Sequence, residues 1–247
     1  MTNVPPCQLS IIIPAYNEAG TIRQALVTTV RYLTGCPGSW EILIVNDGSQ
    51  DATAAEAAAG AAALAPQQIR LLHHPRNLGK GAAVRTGALA SKGAWVLFCD
   101  ADGATPIEEF GKFLPHLQAG ADLVVGSRRI TGARVNRHQP WLRQSLGWCY
   151  TRLTNLLIAQ RVSDITCGFK ALQRPAAQAI FARARLTGWS FDAEMFFLAR
   201  RLGYRVVEVP IVWADQPNTK VRLARATITS LGELLRIRWY ALTGRYR

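Results

Sequence analysis

Leu9-Ser10-Ile11-Ile12-Ile13-Pro14-Ala15-Tyr16-Asn17-Glu18 and, further on, Glu41-Ile42-Leu43-Ile44-Val45-Asn46-Asp47-Gly48 are built alike. Each opens with a short apolar run rich in β-branched residues and breaks off at polar turn chemistry. A continuous apolar run of this length is what a strand buried on both faces requires. Ile69–His73, Trp95–Cys99 and Leu123–Val125 repeat the pattern, and Val206–Pro210 adds a late strand. Helical patterns lie between them, from Ala19 to about Leu33, from about Asp51 to Leu64, and from Gly79 to about Ser91. Strands alternating with helices predict an α/β fold, a mostly parallel twisted sheet with helices on both faces. Ligands bind such sheets beyond the carboxyl ends of the strands. The residues that follow the strands are therefore the candidates: Pro14 to Glu18, Asp47 to Ser49, and Asp100 to Gly103.

Asp100-Ala101-Asp102 carries the sharpest chemistry. Two carboxylates leaving a buried strand together need a counter-charge. Mg²⁺ or Mn²⁺ supplies one, held by one or two carboxylates and completed by phosphate oxygens. An isolated Asp-x-Asp is more often only a polar strand end, but the strand context favours the metal. Asn46-Asp47-Gly48 is good turn chemistry, and Asp47 is equally placed to accept hydrogen bonds from a base or ribose. Asn77-Leu78-Gly79-Lys80-Gly81 opens a helix and lacks the spacing of a P-loop, which excludes that ATPase chemistry. Its glycines still let an anion approach backbone N–H groups, with Lys80 as a phosphate contact or a solvated charge. Arg128 and Arg143 offer forks suited to phosphate, although a solvated surface charge is the commoner role in so basic a region. Asp192 and Glu194 sit at a helix start, where acids often only compensate the dipole.

The 247 residues carry a net charge of +13, unevenly. Residues 1–125 hold 8 Lys/Arg against 10 Asp/Glu, and residues 126–247 hold 21 against 6. The second half should face a polyanion, whether nucleic acid, an anionic membrane or a phosphorylated substrate. No nucleic-acid recognition motif or RNP-like aromatic pattern accompanies the charge, which argues against nucleic acid as a partner. The five cysteines show no Cys-x-x-Cys spacing, so a reduced, cytosolic-side protein without structural zinc is expected. No stretch approaches the roughly 20 apolar residues of a bilayer span, and Met1–Pro6 lacks the features of a signal peptide.

Taken in order, the segments Leu9 to Glu18, Val45 to Asp51, Asn77 to Gly81, Asp100 to Pro106, Gly126 to Arg128 and Asp164 to Lys170 resemble glycosyltransferase family 2. Within it the polyprenyl (dolichyl) phosphate hexosyltransferases are most similar, over about residues 8–221. That resemblance implies a GT-A, Rossmann-like fold and an inverting transfer from a nucleotide-sugar donor to a polyprenyl-phosphate acceptor. It implies nucleotide contacts from Pro14, Tyr16, Glu18 and Asp47. Asp100 and Asp102 would sit at the diphosphate, with Asp102 the direct metal ligand. Arg128 and Arg143 match the family's arginines for the acceptor phosphate, and Lys220 a basic residue that closes over the diphosphate. Mannosyl-transferring members carry Gln two residues after the second Asp, where this chain has Ala104. That difference points to glucose from UDP-glucose; GDP-mannose, or transfer to a sugar hydroxyl, is the alternative. A hydroxyl acceptor would need a carboxylate base, Asp192 or Asp164.

Residues 1–220 are expected to form the transferase domain and 221–247 an amphipathic segment at the cytoplasmic membrane surface. At 100° per residue, Ala224, Ile228, Leu231, Leu235, Trp239 and Leu242 share one helix face. Arg222, Arg225 and Arg236 border it on one side, Arg238 and Arg245 on the other. Leu142, Leu146, Cys149, Leu153, Leu156 and Leu157 form a second stripe, flanked by Arg143 and Arg152. Stripes of this kind usually pack on a core. Bordering arginines and Trp239 favour the water–lipid boundary for the C-terminal one.

Overall fold

The computed structural model describes residues 9–158, 161–216 and 223–247, with the side chains at 142 and 223–228 left aside. The strands are β1 (Leu9–Ala15), β2 (Trp40–Asn46), β3 (Ile69–His73), β4 (Trp95–Phe98), β5 (Leu123–Ser127), β6 (Arg134–Arg137), β7 (Lys170–Gln173), β8 (Val206–Pro210) and β9 (Val212–Ala214). The helices are α1 (Ile22–Thr34), α2 (Thr53–Leu64), α3 (Lys80–Ala90), α4 (Phe110–Gln118), α5 (Trp141–Ile158), α6 (Arg174–Arg183), α7 (Phe191–Arg201) and α8 (Leu223–Leu242). Seven strands form one sheet in the order β3-β2-β1-β4-β7-β5-β8, and β6 pairs with β9 in a small separate ribbon.

The expected parallel sheet is present, with one antiparallel insertion. β7 runs against both β4 and β5, while the other pairings in the main sheet are parallel. Alternation along each strand sends side chains to opposite faces. Ile11 and Ile13 of β1 join α1, α2 and α4 in one apolar layer. Ile12 joins α3, α6 and α7 in the other. Both layers are buried, which is why β1 and β2 read as nearly unbroken apolar runs.

α1 begins three residues later than the sequence pattern predicts. Residues 18–21 instead form a turn in which the N–H groups of Thr21 and Ile22 donate to the Glu18 carbonyl at 3.0 and 2.9 Å. α2 likewise starts at Thr53, and Asp51 lies in the turn before it, its Oδ1 accepting the Thr53 N–H at 3.0 Å.

The C-terminal segment forms α8, which buries Leu234 and Ile237 completely in the second apolar layer. Tyr246, beyond its end, is also buried, and its hydroxyl donates to Glu194 Oε1 at 2.5 Å. Among the described residues no helix is long and apolar enough to cross a membrane.

Candidate active site

The carboxyl ends of β1, β2, β4 and β5 deliver the expected residues to one rim of the sheet. After β1, Asn17 adopts φ +56°. Its N–H donates to Ser49 Oγ at 2.9 Å, and its Oδ1 accepts the Gln50 N–H at 2.8 Å. These bonds tie the loop after β1 to the loop after β2. Pro14 lies within β1 opposite Val45. Tyr16 is 37% exposed, and Glu18 accepts the Thr21 hydroxyl at 2.7 Å.

Asp47 is turned inward. Its oxygens accept the Leu78 and Gly79 N–H groups at 2.9 and 2.8 Å and approach His74 Nδ1 at 2.6 Å. His74 in turn contacts Thr86 Oγ1 on α3 at 2.9 Å. This carboxylate, only 2 % exposed, holds the start of α3 in place and presents little surface to a nucleotide. Gly79 has φ +105°, and a Cβ there would lie 2.3 Å from the Thr187 carbonyl oxygen. The chain can make this approach only as glycine.

The strand-end pair and Lys80 come together. Lys80 Nζ donates to Asp100 Oδ1 at 2.5 Å. Burial pulls the Lys80 ammonium down, but Asp100 and then Asp192 outweigh it and hold its pKa above the usual lysine value. Burial, and after it the charge of Asp100, raises Asp102, against the Ala104 N–H and Lys80; the Glu18 charge adds to the rise. Asp100 and Asp102 thus lie together beside one lysine, Lys80, while Asp192 is paired with Lys170. A divalent cation fits this imbalance, with two carboxylates from the protein and the remaining positions left to phosphate and water. Among the described residues no cluster of three or more His, Cys, Asp or Glu could hold a metal ion by itself.

Beside this pair, the loop after β5 presents Arg128. Its Nε and Nη2 grip both oxygens of Asp164 at 2.6 and 2.8 Å, and Nη2 also donates to Thr166 Oγ1 at 3.0 Å. The guanidinium stacks on Trp213, 4.9 Å from the ring centre. Asp164 is buried, which raises its pKa, but Arg128 prevails and holds it at about 2. A carboxylate depressed in this way stabilises the fold above its unfolded value near 3.9 and loses that contribution as pH falls through about 2. Asp164→Asn should therefore cost about 2 kcal/mol at neutral pH. The gap from wild type should close between about pH 4 and pH 2 in urea unfolding followed across that range. Arg129, the neighbour, stacks on Trp148 of α5 at 4.7 Å. Arg143, also on α5, lies 3.9 Å from Asp215. Lys220 lies outside the described residues.

Four further residues belong to this region. Gly168 lies directly against Asp100. Lys170, fully buried on β7, donates to Asp192 Oδ1 at 2.7 Å. Trp189, 52 % exposed, has its ring centre 5.4 Å from Lys80 Nζ. Glu233 of α8 accepts the Ser190 N–H at 3.3 Å. Gly168 and Lys170 lie in the segment Asp164 to Lys170 that carries the family resemblance, and Trp189 stands just before the helix start with Asp192 and Glu194. Nothing in the spacing marked Glu233.

Comparison with known proteins agrees with this arrangement. Residues 10–181 match the model of glycosyl transferase family 2. A dolichyl-phosphate beta-glucosyltransferase of Trichomonas vaginalis is 38% identical over 87% of this chain and 66% of its own length. The dolichyl-phosphate beta-glucosyltransferase of Saccharomyces cerevisiae is 33% identical over 97% of this chain and 76% of its own. Among solved structures, glucosyl-3-phosphoglycerate synthase of Mycobacterium tuberculosis, crystallised with Mn²⁺, UDP-glucose and phosphoglyceric acid, superposes with a TM-score of 0.67. The match covers 94% of this chain and 79% of that one at 20% identity, a likeness of fold.

Proposed function

The chain belongs to glycosyl transferase family 2, and we infer that it transfers glucose from UDP-glucose to a dolichyl-type polyprenyl phosphate at a membrane surface. The observation that carries this reading is the strand-end pair Asp100 and Asp102, with Lys80 beside it at 2.5 Å, in a chain whose relatives over most of its length are dolichyl-phosphate beta-glucosyltransferases. Ala104 supports glucose over mannose. It is buried, and its backbone is occupied on both sides, the N–H by Asp102 Oδ1 and the carbonyl by the Ala214 N–H. It offers no side-chain amide to the site.

Asp102 and Asp100 would hold Mg²⁺ or Mn²⁺, which when bound would neutralise charge on the leaving diphosphate. Lys80 shifts from Asp100 towards the same phosphates. Tyr16, Glu18 and the loop that Asp47 anchors frame the nucleotide, with Pro14 shaping the end of β1, and Lys220 is assigned to the diphosphate. An acceptor phosphate is already anionic at neutral pH and needs no base. Positioning and charge stabilisation are therefore the task. Asp164 orients Arg128 so that its remaining edge and Arg143 face the incoming phosphate. Attack from the side opposite the diphosphate inverts the anomeric centre. The test offers UDP-glucose, UDP-N-acetylglucosamine and GDP-mannose with a short polyprenyl phosphate and Mg²⁺. A charged glucolipid formed from UDP-glucose is expected. Preference for GDP-mannose, or product only on a sugar hydroxyl, overturns the reading.

Membrane docking through α8 belongs to the same proposal. Leu231, Leu235, Trp239 and Leu242 are 46%, 58%, 59% and 81% exposed on the helix surface away from Leu234 and Ile237. On α5, Trp141 and Leu156 are exposed by 76% and 78%. An apolar stripe left open and bordered by arginines suits a lipid surface, and a polyprenyl tail keeps the acceptor in the bilayer. Deleting α8 would strip the core of Leu234 and Ile237, at about 2–5 kcal/mol for each large side chain lost. Replacing Leu231, Leu235, Trp239 and Leu242 by Ser spares that core. This variant should float poorly with anionic liposomes while melting normally, and wild-type flotation should weaken with salt. Undiminished flotation of the variant would remove α8 as the docking surface.

A further inference from the structure

Asp192 is the second residue of α7, and its two oxygens have different fates. Oδ1 takes the ammonium of Lys170 at 2.7 Å. Among the described residues Oδ2 has no hydrogen-bond donor, and the side chain keeps 10% exposure. Lys170 is completely buried and cannot leave. It also donates to the Cys167 carbonyl oxygen, and its ammonium lies 5.5 Å from the Phe98 ring centre and 5.8 Å from that of Phe196. The pairing of Phe98 with Lys170 across β4 and β7 sets this lysine two residues from the Asp100 position on the neighbouring strand.

The pair borders the diphosphate residues. The charge of Asp192 acts on Lys80, that of Asp100 acts on Asp192, and the Trp189 ring lies 5.4 Å from Lys80 Nζ. A bare carboxylate here would repel an incoming diphosphate. Lys170 cancels that charge permanently and leaves the lone pairs of Oδ2 available. The result is a nearly neutral but strong hydrogen-bond acceptor close to Lys80, the lysine bonded to Asp100. Hexose hydroxyls are the donors such an acceptor suits.

We propose that Asp192, clamped by Lys170, reads a hydroxyl of the donor hexose and so sets which sugar is transferred. This rests on the reading of the site as a UDP-glucose site. A site built to accept a substrate hydroxyl discriminates strongly against the analogue lacking it. The experiment compares kcat/KM for UDP-glucose with that for its 2-, 3-, 4- and 6-deoxy analogues in wild type and Asp192→Asn, with UDP inhibition and lipid KM measured alongside. Wild type should reject one deoxy analogue. In the variant that rejection should fall at least tenfold, with the Ki of UDP within about twofold. If Asp192→Asn does not fold around the orphaned lysine, Lys170→Gln combined with Asp192→Asn removes both buried charges and is measured in its place. An equal loss for glucose and every analogue, with the acidic limb of the pH profile gone, makes Asp192 a general base and overturns the proposal. A rise confined to the lipid KM assigns it to the acceptor and overturns it too. Failure of wild type to use UDP-glucose at all defeats the function above, a result separate from either of these.

Discussion

Asp102→Asn is expected to lose glucosyl transfer by roughly 10²–10³-fold or more in kcat, the scale seen when one preorganised electrostatic group is removed. Its melting temperature should stay near that of wild type. Asp102 follows β4 and contributes nothing to the apolar layers. Its bond to the fold, accepted from the Ala104 N–H at 3.0 Å, can be kept by an amide oxygen. What the amide cannot supply is negative charge. Burial and the neighbouring Asp100 press on Asp102, and a divalent ion would relieve that pressure. Binding of Mn²⁺ with UDP, followed by calorimetry, should weaken in parallel with turnover. Near-normal turnover of the variant in the presence of EDTA would end the metal-ligand role.

Gly168→Ala should be comparably damaging, although glycine has no side chain to contribute. The register of β4 against β7 pairs Phe98 with Lys170. Just beyond the end of β4 and just before the start of β7, Gly168 lies against Asp100. A Cβ on Gly168 would lie 2.1 Å from Asp100 Oδ2 and 2.6 Å from its Cγ. No contact that short survives, so the carboxylate must shift and its bond to Lys80 must shift with it. A displacement of about 1 Å at a reacting centre can cost 10²-fold. The loss should appear in kcat/KM for the donor, and the far-UV spectrum should be unchanged. A double-mutant cycle isolates the cause: in an Asp100→Asn background the alanine should add little. Full additivity would mean that Gly168 acts through something other than Asp100.

The parallel strands were legible because burial on both faces leaves a continuous apolar signature, as in Ile11-Ile12-Ile13 and Ile42 to Val45. β7 was not. Its Lys170-Ala171-Leu172-Gln173 carries a charge at one end and an amide at the other, and nothing local reveals that the lysine is buried against an aspartate on a later helix. β6 and β9 escaped notice for a similar reason. Their Arg134-Val135-Asn136-Arg137 and Val212-Trp213-Ala214 are short and carry little apolar pattern, with only Val135 and Trp213 reaching the core. At the site, residue types that follow strands were readable, but what they touch was not. Asp47 was expected to meet a nucleotide and spends its oxygens on the chain around Gly79, because His74 arrives from the end of β3. The apolar stripe of α8 was readable as a face. That part of the helix also reaches the core through Leu234 and Ile237 depends on the tertiary fold.

The placement of β7 also has a consequence for how the chain comes off the ribosome. β1 to β4 emerge in order and can pair as they appear, since β3-β2-β1-β4 needs nothing that follows. β5 is complete at Ser127 yet has no seat beside β4, because the strand between them begins only at Lys170. At ordinary synthesis rates of about 5–20 residues per second, β5 waits for seconds. Throughout that interval β4 presents an open edge of unpaired N–H and C=O groups, a ready template for another chain. Closure across Phe98 and Lys170 then has the entropy of a loop of roughly 70 residues to overcome. Nascent chains stalled before residue 170 should therefore depend most on chaperones, and the same late strand that carries the buried lysine decides when the two halves of the sheet become one.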